Sequence, residues 1–136
     1  RDSQDPVKIA ALFAPMECGV CFIGHSHVPA VYYEDGRIFV PKVNPATRED
    51  GVEGPYSLGV PGTGKINKSE DLPRAIVNVG SVGQPRDGDP RLSYVLFDGE
   101  NISFVRLKYD IDCAADKIFA VDELPDYLAE RLVKGR

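Results

Sequence analysis

The sequence predicts one mixed domain of the α/β (α+β) class, rich in β-strands and flanked by helices, and three observations carry that prediction. Apolar runs of strand length recur at 20–23, 30–34, 75–79, 92–97 and 102–107, and the pairs Asp35-Gly36 and Asp98-Gly99 sit where hairpin turns would join such runs. Helix-period apolar faces stand near both ends, over 6–13 and from Asp112 to Lys134. The length, 136 residues, suits one domain with its own core, and the hydrophobic content is an ordinary 43%.

Taken in order, Ser3 or Asp5 caps a helix with Pro6 in its first turn. Val7, Ile9, Ala10, Leu12 and Phe13 form its apolar face, and Pro15 stops it. Val20 to Ile23 reads as a short buried strand that ends where Gly24 lets the backbone turn. Ala30 to Glu34 and Arg37 to Pro41 flank Asp35-Gly36 as an antiparallel hairpin. Residues 42–74 repeat Gly and Pro with little periodicity and read as a long loop insertion, functional or disordered. Ala75 to Val79 is the next strand, followed by the turn Gly80-Ser81-Val82-Gly83 and a polar loop, Gln84 to Arg91. Leu92 to Phe97 and Ile102 to Leu107 form a second hairpin, and the tail divides at Leu124-Pro125 into two short helices. Neither an internal repeat nor a second domain is visible, so 1–136 reads as one unit.

Composition narrows the function. A net charge of −5 argues against a nucleic-acid-binding surface, which is normally basic. The apolar runs fall well short of the ~20 residues that a membrane-spanning helix needs, and no signal peptide opens the chain. Three cysteines without a secretory signal read as reduced thiols, and a cytoplasmic protein is expected.

Both histidines of the chain fall in one short stretch, Gly24-His25-Ser26-His27, at the end of the first strand. In an extended backbone, residues i and i+2 point to the same side, so His25 and His27 are expected to face one metal or two adjacent ones. Neutral imidazole is the commonest nitrogen ligand, but two ligands do not complete a site, and the others must come from elsewhere in the chain or from another polypeptide. The second informative stretch is Asn78 to Arg91, NVGSVGQPRDGDPR. Glycines after a strand leave backbone N–H groups free for an anion, and Arg86 suits bidentate phosphate contact; the plainer alternative is a tight turn with solvated charges. Metal together with phosphate points to phosphoester hydrolysis.

Weaker motifs also occur in the sequence. GVPGTGK at 59–65 follows phosphate-loop spacing until Ile66, which replaces the Ser or Thr that would hold magnesium, so its glycines are assigned to turns. Cys18 and Cys21 form a single CxxC without a second half, and Cys21 is read as a small buried thiol. The sequons at Asn67 and Asn101 are formal only.

GHSHVP, then NVGSVGQPRDGDPR, then the LSYVLFD strand and the tail through LPDYLAERLVKG resemble the C-terminal part of the calcineurin-like metallophosphoesterase superfamily, in its branch of small bacterial phosphodiesterases. Chains of that family usually read GHTH and NPGSVGQPRDGDPR, so Ser26 and Val79 are departures, neither of which removes a ligand. The resemblance implies part of a four-layer αββα sandwich. It also implies a pair of divalent metals (Mn, Fe or Zn) bridged by a hydroxide that attacks phosphorus, with His25 on one metal and His27 on the other. Gly80, Ser81 and Arg86 would face the phosphate. The family's Asp-x-His, Gly-Asp-x-x-Asp and Gly-Asn-His-Asp/Glu motifs and its further lone histidine, the source of its general acid and bridging aspartate, are absent from this sequence.

Two classes therefore stay open. In the first, the chain is the C-terminal half of a metal-dependent phosphoesterase, inactive and weakly metal-binding alone, as a start at Arg1 without Met would suit. In the second, it is a non-catalytic binding or structural module on the same half-fold. Either form is expected to self-associate or to pair with a missing N-terminal half, with the Val20 or Ala75 strand as the edge.

Overall fold

The computed structural model describes residues 6–58 and 73–136. Its elements run α1 (Pro6–Phe13), β1 (Val20–Ile23), β2 (Ala30–Tyr33), β3 (Ile38–Phe39), β4 (Gly51–Ser57), β5 (Ala75–Asn78), β6 (Leu92–Phe97), β7 (Asn101–Leu107), α2 (Ile111–Phe119) and α3 (Tyr127–Lys134). The strands form a sheet of order β1-β5-β2-β3 and a second of order β4-β7-β6. The first is mixed, with β1 parallel and β2 antiparallel to β5, whereas the pairs of the second are antiparallel. The expected mixed α/β class holds.

Strand alternation distributes the apolar side chains between two layers. Val31, Tyr33, Ala75 and Val77 leave one face of the first sheet and meet Ile102 and Phe104 of β7, which builds the core between the stacked sheets. Ile76, from the opposite face, packs with Phe13 at the end of α1, and Met16, Cys21 and Tyr32 close around them. Both expected hairpins form. Asp98 accepts from the N–H groups of Glu100 (2.9 Å) and Asn101 (2.7 Å), so the side chain of the Asp-Gly pair organises its own turn.

Near the carboxyl end, Asp110 caps α2 by accepting from the Cys113 N–H at 2.9 Å, and α2 packs on α3. Gly135 ends α3 in the left-handed conformation, φ 63°, with its N–H on the Leu132 carbonyl and the Arg136 N–H on the Arg131 carbonyl. A Cβ at Gly135 would fall 2.8 Å from the backbone of Asp89, so the glycine is also what lets this corner dock on the 88–89 loop.

Expectations for residues 42–74 and for the edges of the first sheet change. Residues 42–74 are not all loop, because β4 lies within them and pairs with β7. A register shift between Glu53 and Tyr56 breaks the apolar alternation, and the strand's place at the sheet edge tolerates Pro55; both conceal it from pattern reading. The motif GVPGTGK, the Asn67 sequon and the Ser3 and Asp5 caps lie outside the described residues. β1 is an edge strand and not a buried one, with Phe22 and Ile23 exposed at 41% and 37%, and Cys21 is half-buried. β5 is flanked by β1 and β2, so of the two strands expected to pair with another chain only β1 has an open side among the described residues. No helix among those residues is long and apolar enough to cross a membrane.

Candidate functional site

β1 and β5 are parallel neighbours, so their carboxyl ends lie side by side, and the two informative stretches of the sequence leave the sheet next to each other. The histidines do not sit on an extended strand as expected. β1 stops at Ile23, and His25 (φ 73°) and His27 (φ 61°) both adopt left-handed backbone. That conformation costs a non-glycine residue about 1–2 kcal/mol, so the surrounding bonds must hold the turn.

Three groups of bonds do so. Within the turn, the Ser26 N–H reaches the Gly24 carbonyl at 3.0 Å. From β5, Asn78, only 2% exposed, donates from Nδ2 to the Gly24 carbonyl (2.9 Å) and to Ser26 Oγ (2.7 Å), while its Oδ1 accepts from the Gly80 N–H (3.1 Å). From the polar loop, the Arg86 N–H reaches the His27 carbonyl at 3.2 Å, and the Gln84 carbonyl lies 2.7 Å from His27 Nδ1. A carbonyl can only accept, so Nδ1 of the neutral ring carries the proton and Nε2 keeps its lone pair. A ring so oriented is fitted to bind a cation through Nε2.

His25 is exposed and lines a cavity of about 230 Å³ with Lys8 and Leu12 of α1, Ile23, Tyr32 and Asn78. Gly80 is buried with φ 81°, and a Cβ there would come within 2.5 Å of Ser93 Oγ, so only glycine fits between the loop and β6. Ser81 accepts on Oγ from the N–H groups of Gly83 (3.3 Å) and Gln84 (2.9 Å). These amides and that of Gly80 are therefore bonded inside the loop, which departs from the expectation that the glycines leave N–H groups open to an anion. Arg86 is exposed, and its Nη2 donates to Gln84 Oε1 at 2.8 Å, holding the guanidinium beside the segment that contacts His27.

The other charges of the polar loop, together with Arg106 of β7, are structural. Arg91 (2% exposed) and Arg106 (4%) are buried. Arg91 donates from Nε to Asp89 (3.0 Å) and from Nη2 to the Val43 carbonyl (2.6 Å), and Arg106 pairs with Asp87 and donates to the Arg91 carbonyl (3.0 Å). Burial pushes the Asp89 carboxyl up, but its bonds to Arg91 outweigh this and hold it below the usual range. Sequence reasoning missed Asn78, Arg91 and Arg106 as organisers of the site. An asparagine near the end of an apolar strand does not show which backbone groups it bonds, and nothing in the sequence marks which arginine is buried.

Among the described residues, no group of three or more His, Cys, Asp or Glu side chains is placed to hold a metal ion, and the three cysteines are free thiols. Among the described residues, the histidine pair thus offers a cation imidazole donors and no adjoining carboxylate.

No family model matches the sequence. Over 117 residues the chain is 38% identical to an uncharacterized protein of Methanocaldococcus jannaschii, covering 85% of this chain and 39% of that one. It also superposes on the crystal structure of a metallophosphoesterase from Sphaerobacter thermophilus with a TM-score of 0.72 and 32% identity, covering 97% of this chain and 48% of the other. The chain spans less than half the length of either.

Proposed function

The chain carries the fold of the calcineurin-like metallophosphoesterase superfamily, a fold that uses divalent metals, and from that premise we propose that it supplies one side of a metal-dependent phosphoesterase site. The observation that carries this reading is the junction of the His25–His27 turn with the loop from Gly80 to Arg86, made by Asn78, Gln84 and the Arg86 N–H. In such centres divalent cations, here Mn, Fe or Zn, polarise the phosphoryl group and activate water. The residues of this chain have separate tasks. His25 and His27 are the imidazole ligands, and His27 is preset by the Nδ1–H bond that leaves Nε2 available. Arg86 binds and neutralises a phosphate oxygen of a phosphomonoester or phosphodiester. Gly80 and Ser81 shape the loop that holds Arg86, which is a narrower task than contact with phosphate through their amides. The remaining ligands come from residues outside this chain, in the same longer polypeptide or a complementary one.

Metal titration by calorimetry tests the ligand set. The chain alone is expected to bind Mn2+ or Zn2+ weakly, because two imidazoles without a bridging carboxylate compensate little charge. Submicromolar, stoichiometric binding that His25→Ala abolishes would mean the site is complete without further ligands. In the complete enzyme, His27→Ala removes metal and turnover, whereas Arg86→Ala keeps the metal and raises the Michaelis constant. Unchanged kinetics in Arg86→Ala would return that loop to a solvated turn. A non-catalytic module on the same half-fold is the second reading, favoured by the missing carboxylate ligands among the described residues. It predicts no phosphoesterase activity even after the chain is joined to a segment bearing the missing motifs.

A further inference from the structure

We infer that Asn78 is a positioning residue whose carboxamide fixes the His25–His27 turn before any cation arrives, so that the ligand pair is preorganised by a buried amide and not gathered by the metal. The inference rests on the phosphoesterase reading for the identity of the ligand but not for the geometry.

Asn78 ends β5, and its side chain is sealed from solvent. Its three side-chain bonds cross to backbone or hydroxyl groups of the two loops: Nδ2 to the Gly24 carbonyl at 2.9 Å, Nδ2 to Ser26 Oγ at 2.7 Å, and Oδ1 from the Gly80 N–H at 3.1 Å. An amide is the one side-chain type that offers two N–H donors and an acceptor from a single planar group of this size. Asp keeps the acceptor but loses both donors and faces the Gly24 carbonyl with a charge. The left-handed residues on either side of Ser26 make the turn unfavourable on its own, so a group that binds the residue before and the residue between the histidines sets where both rings project. The hydroxyl of Ser26 is the receiving end. It also accepts from the Val28 N–H at 3.4 Å, and threonine at this position would keep it.

The test uses this chain and four variants: Ser26→Ala, Ser26→Thr, Asn78→Ala and Asn78→Asp. Mn2+ affinity is read from paramagnetic broadening of the His25 and His27 ring signals, fold stability from thermal melting, and turn rigidity from amide exchange of residues 24–27 and 80–84 without metal. Ser26 is exposed, so Ser26→Ala is expected to melt like the parent while its Mn2+ affinity falls about tenfold, the lower end for a lost supporting bond, and Ser26→Thr restores it. Asn78→Ala and Asn78→Asp are expected to speed exchange in both segments together, including in whatever fraction remains folded. Parental affinity in Ser26→Ala with unchanged exchange at 24–27 in both Asn78 variants overturns the inference. If the parent chain shows no broadening at either histidine, the metal reading fails instead, and the exchange data alone decide whether Asn78 holds the turn. Should neither Asn78 variant fold, Ser26→Ala against Ser26→Thr decides: equal exchange at 24–27 in the two overturns the inference.

Discussion

Gly80 shows most directly how a single residue limits the site. It is buried, left-handed and separated from Ser93 by less than the width of a methyl group, so Gly80→Ala meets both a backbone penalty and a collision. Urea denaturation is expected to show a loss of about 2–4 kcal/mol, larger than the ~1–3 kcal/mol of backbone strain alone. An equal midpoint in the variant would mean that the loop has room the structure denies it. At this scale the sequence was legible where a residue type has one dominant use, as with Asp98-Gly99 in its turn or His25 and His27 beside each other. It was not legible where the use depends on a distant neighbour. Asn78 and Arg91 take their meaning from Gly24 and Val43, which are far away in the chain and close in the fold.

Among the elements, the segment from Asp87 to Arg91 joins the second sheet to the carboxyl-terminal helix. Asp87 and Asp89 face the buried arginines, and the Gly88 N–H donates to the Gly135 carbonyl at 2.9 Å. The Asp89 carboxyl is held below its ordinary value in the folded protein. A depressed folded-state pKa contributes stability that is present above the unfolded value, ~3.9, and is lost as pH falls through the folded one. Stability is therefore expected to decline below about pH 4, and Asp89→Asn to flatten that decline while lowering stability at neutral pH. Melting curves across pH check it; parallel acid profiles for the two proteins would remove Asp89 from the account. Strand existence was legible from apolar runs, but β4 was not, because its register shift destroys the period on which such reading depends.

For the molecule as a whole, strand order is the property that local patterns do not contain. A run such as Val20-Cys21-Phe22-Ile23 reads alike at a sheet's centre and at its edge, and only the pairing with β5 alone among the described residues reveals the open side. Phe22 packs on Phe97 with ring centroids 5.1 Å apart, and both remain exposed. An apolar patch next to the open side of an edge strand favours association with another polypeptide. Sedimentation at rising concentration is expected to show species heavier than a monomer, and Phe22→Lys to reduce them. A single monomeric boundary at every concentration would count against the open edge as a pairing surface.

The pairing of β1 with β5 also governs when the site comes into being. Asn78 and Gly24 are 54 positions apart in sequence, whereas the β6–β7 hairpin closes around a turn of a few residues. Closing a long stretch of chain costs entropy before any contact repays it, so local hairpins form early and distant parallel pairings late. The histidine turn is then among the last parts to acquire its shape. On a ribosome, β1 has to wait for more than fifty further residues to be made before its partner exists, and during that interval its apolar run is open to holdase chaperones. Pulse-labelled exchange during refolding reads the order directly, through protection at the amides of β7 compared with that at Val79, whose N–H bonds the Ile23 carbonyl only when the two strands have met.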